Sequence, residues 1–255
     1  MIKKPSIQSA VLYGLLGIAL GAQAKDWPAP IKALEAQGVE VLGTFKAPGG
    51  LTGYAGMMAQ QPLAIYLTAD GKQAIIGSMI DAKGANLSQQ PLDKLVNKPM
   101  TGKIWKQLEN STWIADGSKT APRVVYTFTD PNCPYCNKFW NDARPWVSAG
   151  KVQLRHVIVA ILTDTSAGKA AALLSAQDAQ AALTQHEMQH ASGGVKPLSQ
   201  MPEKIRAQLD ANQKLMQQLG ASATPTIFYK DASGNLKKME GAPPAEMLVK
   251  IMGSR

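Results

Sequence analysis

The stretch RVVYTFTDPNCPYCNKFWNDARPWVSAG, residues 123–150, decides how this chain folds. Its first seven residues are mostly β-branched and aromatic, which is typical of a buried strand. The part after the second cysteine has apolar residues at helical spacing and ends at Gly150. A second strand-like run, VQLRHVIVAIL, follows at residues 152–162. Strand, loop, helix and strand in this order predict a βαβ unit, with DPNCPYC as the loop before the helix.

The loop contains Cys133 and Cys136, the two cysteines of the 255-residue chain. Cys133 should lie just ahead of the helix N-terminus, where unpaired N–H groups and a partial positive charge favour a thiolate. We therefore expect Cys133 to be the accessible thiol with the low pKa. Cys136, one turn into the helix, should be buried more deeply and keep a higher pKa. A C-x-x-C beside a βαβ pattern indicates a thiol–disulfide redox site.

A structural disulfide and a zinc site are the two alternatives to redox chemistry for the cysteine pair. A structural disulfide here would close a loop of only a few residues, and the stabilisation from a cross-link grows with loop length. A structural zinc site normally takes four ligands, so two more would be needed from cysteine or histidine. The chain has no second cysteine pair and only three histidines. Both alternatives are therefore weaker than the redox interpretation.

The N-terminus has the pattern of a secretion signal. Positive charge at Lys3 and Lys4 precedes an apolar run at residues 10–20 and then the sequence Ala22-Gln23-Ala24. This order is typical of a cleaved signal peptide, here residues 1–24. The apolar run is shorter than the roughly 20 residues needed to cross a bilayer. We expect a mature chain that starts near Lys25 and works in the bacterial periplasm, where disulfides persist.

Charge and pattern divide the mature chain into two domains. Residues 25–95 hold six lysines and six acidic residues, whereas residues 96–255 hold 19 basic and 12 acidic residues. The first part contains one short helix and the β-leaning runs VEVLGTFKA, LTGYAGMMA, LAIYLT and QAIIGSMI, which predict a small antiparallel sheet. An amphipathic helix at residues 96–112 is interpreted as a linker to the second domain, residues 113–255. The basic residues are scattered, so no nucleic-acid partner is expected.

The segment HEMQH, residues 186–190, matches the H-E-x-x-H pattern of zinc proteases. On a helix this pattern places two imidazoles on one face, with Glu187 as general base. A third ligand could be Glu203 or Asp210, but nothing in the sequence selects either. We interpret the segment as a solvated helix and expect no metal.

Near the C-terminus, Thr224-Pro225 precedes the strand-like run TIFY, and DASGN joins this run to LKKME as a hairpin. A proline can open a strand because it need not donate a hydrogen bond there. Alternatively, the Thr224–Pro225 bond is cis beside the dithiol and exposes the Thr224 backbone to a substrate chain. The residues alone leave both possibilities open.

Three features together resemble the periplasmic disulfide isomerase family: FTDPNCPYC, the following helix with Trp140 and Trp146, and ATPTIFY. The similarity extends to LTGYAGMMAQ, ADGKQAIIGSM and GKIWKQLENSTWIADG, and so covers nearly the whole mature chain. It implies an α+β, cystatin-like N-terminal dimerisation domain at residues 25–95 and a linker helix at 96–112. It also implies an α/β thioredoxin-fold domain at 113–255, with a helical insertion at about 165–220.

The resemblance assigns roles to individual residues. Cys133 takes the position of the nucleophile, Cys136 that of the resolving cysteine, and Pro225 that of the cis-proline, with Thr224 before it. The active-site neighbours are Asp130, Pro134 and Tyr135. A redox-active Cys133–Cys136 disulfide then replaces a cofactor. Many thioredoxins have a buried acid where this chain has Thr127, so a proton shuttle at that position is not expected.

The resemblance also implies partners and an activity. The partners are a second copy of the chain, oxidised or unfolded periplasmic proteins, and a membrane reductase of the DsbD type that keeps the dithiol reduced. The activity is thiol–disulfide exchange on protein substrates, as a disulfide isomerase or reductase or as a reductase of cysteine sulfenic acids. A holdase chaperone without redox turnover is the alternative, because the Met-rich GMMAQ suits adaptable apolar contacts. A zinc protease that uses the HEMQH segment is the third candidate function.

Overall fold

The computed structural model describes residues 26–59 and 61–254. The predicted signal peptide, residues 1–24, lies outside these residues. In the described part of the chain, no helix has both the length and the apolar character needed to cross a membrane.

The N-terminal part is a helix and an antiparallel sheet, as the sequence predicts. Helix α1 spans Ala29–Ala36, and strands β1 to β4 follow in sheet order β1-β2-β3-β4. The strands are Glu40–Lys46, Thr52–Met58, Gln61–Leu67 and Ala74–Ile76. Ile31 of α1 packs with Tyr54 and Ile65 in the core of this part. Strand β4 is shorter than the predicted run QAIIGSMI, because the strand ends at Ile76.

A helical segment connects the two sheets and is longer than the predicted linker. Helix α2 (Gln89–Leu92), a π-helical turn (Asp93–Asn97) and helix α3 (Lys98–Glu109) follow one another without a gap. Helix α3 is docked on the second sheet. The Trp105 ring meets Tyr126 edge to face at 5.1 Å between centroids, and Leu108 is fully buried. The linker helix is therefore part of the C-terminal core.

The second sheet contains the predicted βαβ unit. Its strands lie in the order β5-β7-β6-β8-β9. They span Trp113–Asp116 (β5), Arg123–Thr129 (β6), Val152–Ile158 (β7), Thr226–Lys230 (β8) and Leu236–Glu240 (β9). Strands β6 and β7 are parallel, joined by helix α4 (Pro134–Ser148). Strand β8 is antiparallel to β6, and the β8–β9 hairpin forms where DASGN predicts a turn.

Helices cover both faces of this sheet, and each face has its own core. On one face, α4 and α8 (Ala245–Met252) bury Trp146 and Ile251 against β6 and β7. On the other face, α3 and α7 (Glu203–Gln218) pack on Tyr126 and Phe128. Helices α5 (Ser166–Ser175), α6 (Ala179–Met188) and α7, with a 3₁₀ turn at His190–Ser192, lie between β7 and β8. These helices lie within residues 166–218, the part of the chain where the resemblance predicts a helical insertion (about 165–220).

Candidate active site

Cys133 begins helix α4 as its N-cap residue. Its backbone is extended, with φ −83° and ψ 111°, and Pro134 occupies the first helical position. The Sγ atom of Cys133 accepts the backbone N–H of Cys136 at 3.2 Å. A sulfur thus takes the place of the hydroxyl or carboxylate oxygen that normally caps a helix. The unpaired N–H groups of the first turn therefore face the first cysteine, as the sequence predicts.

This position separates the acidities of the two thiols. The charged form of Cys133 is stabilised most by the Cys136 thiol and then by the Thr224 side chain and the N–H groups of Cys136 and Tyr135. Together they outweigh burial and lower the pKa of Cys133 to about 6. Burial, followed by the interaction with Cys133, raises the pKa of Cys136 well above its usual range. At neutral pH the site therefore holds a thiolate beside a thiol.

Exposed area does not distinguish the cysteines, which corrects one expectation. Cys133 is 2% exposed and Cys136 is 3% exposed. Cys133 is thus not an open surface thiol, because the α4 helix end and the Thr224 segment cover it. The two residues between the cysteines, Pro134 and Tyr135, are exposed.

The Thr224–Pro225 segment lies directly against the dithiol. The peptide bond between these two residues is cis. The Cys133 thiol donates to the Thr224 carbonyl oxygen at 3.2 Å. The Thr224 hydroxyl is buried and has no hydrogen-bond partner among the described residues. Thr127, where many thioredoxins have an acid, is a fully buried residue of β6.

Asp130 anchors the loop that leads to Cys133. Its Oδ1 accepts hydrogen bonds from the Asn132 N–H and the Ser166 hydroxyl, both at 2.8 Å. Its Oδ2 accepts the N–H groups of Ile161 and Leu162 at 2.7 and 3.1 Å. The carboxylate therefore ties the loop to the segment after β7 and to the start of α5. The structure thus brings Cys133 into contact with Cys136 and Thr224, and Asp130 lies at the base of the same loop.

The HEMQH segment is not a solvated helix, so that interpretation was wrong. His186 and Glu187 are 1% and 3% exposed. The His186 Nε2 lies 2.8 Å from the Pro131 carbonyl oxygen, and its Nδ1 accepts the Val195 N–H at 3.0 Å. Both ring nitrogens are therefore engaged in hydrogen bonds. Helix α6 ends before His190, and residues 26–59 and 61–254 contain no cluster of three His, Cys, Asp or Glu suited to a metal.

Sequence reasoning missed the contact of Glu187 with the active-site helix. The side-chain amide of Asn137, the residue after Cys136, donates to the Glu187 carboxylate at 2.8 Å and to its main-chain oxygen at 2.7 Å. The only signal in the sequence was the HEMQH match itself, which pointed to metal chemistry. Which face of α6 is buried depends on how the insertion packs, and its weak apolar pattern does not reveal this.

Comparisons with known proteins agree with this fold. Residues 114–254 match the thioredoxin-like domain family. The chain is 48% identical over 241 residues to the thiol:disulfide interchange protein DsbG of Pseudomonas aeruginosa, covering 94% of each chain. It is 43% identical over 238 residues to DsbG of Escherichia coli K12, covering 92% of this chain and 94% of that one.

Among solved structures, the catalytic domain of Proteus mirabilis ScsC superimposes with a TM-score of 0.50 at 21% identity, covering 61% of this chain and 96% of that one. This likeness supports the thioredoxin-like fold. The two DsbG relatives cover almost the whole length of the chain. The chain therefore belongs to the DsbG family of thiol:disulfide interchange proteins.

Proposed function

We propose that this protein is a periplasmic thiol–disulfide oxidoreductase that acts on cysteines of other proteins through Cys133 and Cys136. The observation that carries the proposal is the N-cap position of Cys133, where hydrogen bonds lower the pKa of its thiol to about 6. A thiolate is the attacking species in thiol–disulfide exchange. Close to neutral pH, most Cys133 is then in the reactive form.

The difference in pKa between Cys133 and Cys136 sets the order of the exchange steps. The Cys133 thiolate attacks one sulfur of a substrate disulfide, that S–S bond breaks, and the other substrate sulfur leaves as a thiolate. The Cys136 thiol then loses its proton and attacks Cys133, which releases the second substrate sulfur and forms the Cys133–Cys136 disulfide. This path reduces the substrate by two electrons. If another substrate thiolate attacks the mixed disulfide first, the substrate is isomerised and Cys133 is regenerated.

A cysteine sulfenic acid is a second substrate for the same thiolate. Attack of Cys133 on the sulfenic sulfur forms a mixed disulfide and expels hydroxide, which takes up a proton to give water. Cys136 then releases the substrate as a thiol. Both reducing paths leave the enzyme oxidised, so an external dithiol donor must return two electrons to it. We assign this role to a membrane reductase of the DsbD type.

The surface around the dithiol suits a protein chain as substrate. Four large apolar side chains are exposed near the dithiol. Tyr135 lies between the two cysteines, Ile161 and Leu162 donate their N–H groups to Asp130, and Met188 follows Glu187. Thr224 lies beside Cys133, and we propose that its backbone pairs with an extended substrate segment. Apolar segments and cysteines are exposed together in misfolded or partly folded proteins, which supports such proteins as the substrates.

Residues 25–95 are proposed to form a cystatin-like dimerisation domain. This part carries no dithiol, and exposed isoleucines lie at or just after its edge strand β4: Ile75, Ile76 and Ile80. An exposed apolar edge strand is a natural pairing surface, and a second copy could cover it through an isologous interface. The two active sites would then face one cleft, and steric hindrance would keep each site away from the membrane oxidase that acts on monomeric dithiol oxidases.

Trapping of substrates tests the proposal directly. A Cys136→Ser variant lacks the resolving thiol, so it should accumulate mixed disulfides between Cys133 and periplasmic proteins, visible on non-reducing gels and lost with dithiothreitol. The matched Cys133→Ser variant should trap none. Equal trapping by both variants, or none by either, would overturn the assignment.

The same variants separate redox turnover from a holdase function. If Cys133→Ser suppresses aggregation of an unfolded client as well as the wild type, chaperone activity exists independently of the thiols. If the wild type suppresses aggregation but shows no thiol turnover, the holdase alternative is correct and the redox proposal is wrong.

A further inference from the structure

Two adjacent residues of the insertion contact opposite flanks of the dithiol loop. His186 meets the carbonyl of Pro131, two residues before Cys133. Glu187 binds the side chain of Asn137, one residue after Cys136. The segment that carries both sulfurs is therefore held at each end by one short part of α6.

The orientation of the His186 ring is fixed by its surroundings. Since Nδ1 accepts the Val195 N–H, the ring proton resides on Nε2, which donates to the Pro131 oxygen at 2.8 Å. Gly194 closes over the ring with φ +61°, and a Cβ at that position would collide with Nδ1 and Cε1. Burial lowers the pKa of His186, which favours this neutral form. The ring thus holds the Pro131 carbonyl in one place.

The Asn137 amide is equally constrained. Its Nδ2 donates to both the carboxylate and the main-chain oxygen of Glu187, at 2.8 and 2.7 Å. Its Oδ1 accepts from the Asn141 side chain at 3.1 Å. The carboxylate of Glu187 has Asn137 as the one side chain that bonds it in the described part of the chain. These bonds fix the first turn of α4 relative to the insertion.

We propose that His186 and Glu187 are positioning residues for the dithiol: they clamp residues 131–137 from both flanks and so keep the Cys136 N–H directed at Cys133 Sγ. This inference rests on the proposed function and deepens it. In the described part of the chain, neither residue makes a hydrogen bond to a sulfur atom. The H-E pair of HEMQH therefore serves the dithiol through hydrogen bonds instead of binding a metal.

The clamp has a measurable consequence for the thiolate. The N–H···S bonds stabilise charged sulfur only while the helix end and the loop keep their relative geometry. Loosening one flank weakens these bonds. The pKa of Cys133 should then rise, and the reduced form should become less stable relative to the Cys133–Cys136 disulfide. The protein should otherwise remain folded, because Asp130 still anchors the loop.

Variants of the full-length protein test the clamp by the pH dependence of Cys133 alkylation. Glu187→Ala removes one of the two bonds to Asn137, and Asn137→Ala removes both. Because both substitutions loosen the flank at Asn137, we expect the alkylation rate at pH 6 to fall about threefold in Glu187→Ala and further in Asn137→Ala. Glu187→Gln keeps an acceptor oxygen and should restore the wild-type profile. Gln185→Ala, an exposed neighbour on α6, is the matched control.

The equilibrium with glutathione supplies a second measurement. The Asn137→Ala and Glu187→Ala variants should hold their Cys133–Cys136 disulfide more tightly than Glu187→Gln and Gln185→Ala do. His186→Leu, which removes the donor to Pro131, should behave like Glu187→Ala, and His186→Gln should recover part of the effect. If circular dichroism shows that a His186 or Glu187 variant is unfolded, the Asn137→Ala variant tests the proposal in its place. This substitution alters a half-buried residue of α4 and leaves the insertion intact.

The result that overturns the clamp is a wild-type pH profile and glutathione equilibrium in folded Asn137→Ala. A loss of stability in the insertion variants with unchanged Cys133 acidity would also overturn it, because it would show a purely structural role. These outcomes differ from failure of the proposed function. If the proposed function is wrong, Cys133 of the wild type would have an ordinary thiol pKa, and the Cys136→Ser variant would trap no substrate.

Discussion

The Sγ atom of Cys133 lies 3.2 Å from the carbonyl oxygen of Thr224, 91 residues further along the chain. This contact joins the start of helix α4 to a residue two positions before β8. In the neutral site the thiol donates to the carbonyl. Once the thiol ionises, the buried Thr224 hydroxyl, which has no partner in the described ranges, is available to donate to the sulfur. Thr224 thus contributes to lowering the pKa of Cys133.

Thr224→Val tests this contribution, because valine has the same shape but no hydroxyl. The pKa of Cys133 should rise, and the alkylation rate at pH 6 should fall about threefold, as expected for the loss of one hydrogen bond. The measurement is the rate of iodoacetamide labelling against pH. Ser222→Ala, which changes an exposed hydroxyl of the same loop, is the control. An unchanged profile in Thr224→Val would show that the hydroxyl does not interact with the thiolate.

The acidity of Cys133 should appear in the stability of the reduced protein. Its folded pKa of about 6 is below the usual value near 9. A depressed folded pKa contributes stability that is fully present above the unfolded pKa and is lost as pH falls through the folded pKa. Reduced wild type should therefore gain stability relative to Cys133→Ser between pH 6 and pH 8.5. Urea unfolding at several pH values measures this. A constant difference across that window would contradict the low pKa.

Asp130 should be essential to the loop structure. Its carboxylate accepts four hydrogen bonds, two on each oxygen. Asp130→Asn replaces one acceptor oxygen with a donor, so two of the N–H or O–H groups lose their partner. We expect the free energy of unfolding to fall by about 2–3 kcal/mol. Asp142→Asn, which changes a half-buried α4 side chain paired with the exposed Lys138, is the control and should change stability by no more than about 0.5 kcal/mol. Equal effects of the two substitutions would refute the anchoring role.

The proposed dimer can be tested on the full-length chain. Ile76→Glu places a charge on the exposed edge strand β4, where a second copy is expected to pair. The wild type should sediment as a dimer, and the variant as a monomer that keeps simple thiol exchange but loses substrate binding. It should also become a better substrate for the membrane oxidase. Lys119→Glu, an exposed residue of the second domain, should remain dimeric. A dimeric Ile76→Glu protein would place the interface elsewhere.

The sequence predicted the βαβ unit and the dithiol because both depend on local signals. The buried strands at residues 123–129 and 152–158 are continuous apolar runs, and the helix between them has clear periodicity. The C-x-x-C spacing then places Cys133 at the helix N-terminus without reference to the rest of the fold. The turn at DASGN is local in the same sense.

Features that depend on distant packing could not be predicted in this way. Cys133 contacts Thr224, 91 residues away, and Glu187 contacts Asn137 on another helix. Helix α3 has an amphipathic pattern that fits a linker, yet its apolar face packs on Tyr126. A fragment that starts at Trp113 would therefore expose this core, and a catalytic fragment should start before α3.

The central claim is that Cys133 is a stabilised thiolate at the N-terminus of α4. The most direct test is the alkylation rate of the reduced wild-type protein as a function of pH, with Cys133→Ser as the blank. We expect the alkylation rate to show an inflection near pH 6 and no further increase up to pH 8, because the pKa of Cys136 lies well above its usual range. A single inflection near pH 8.5, the value of an ordinary free cysteine, would contradict it.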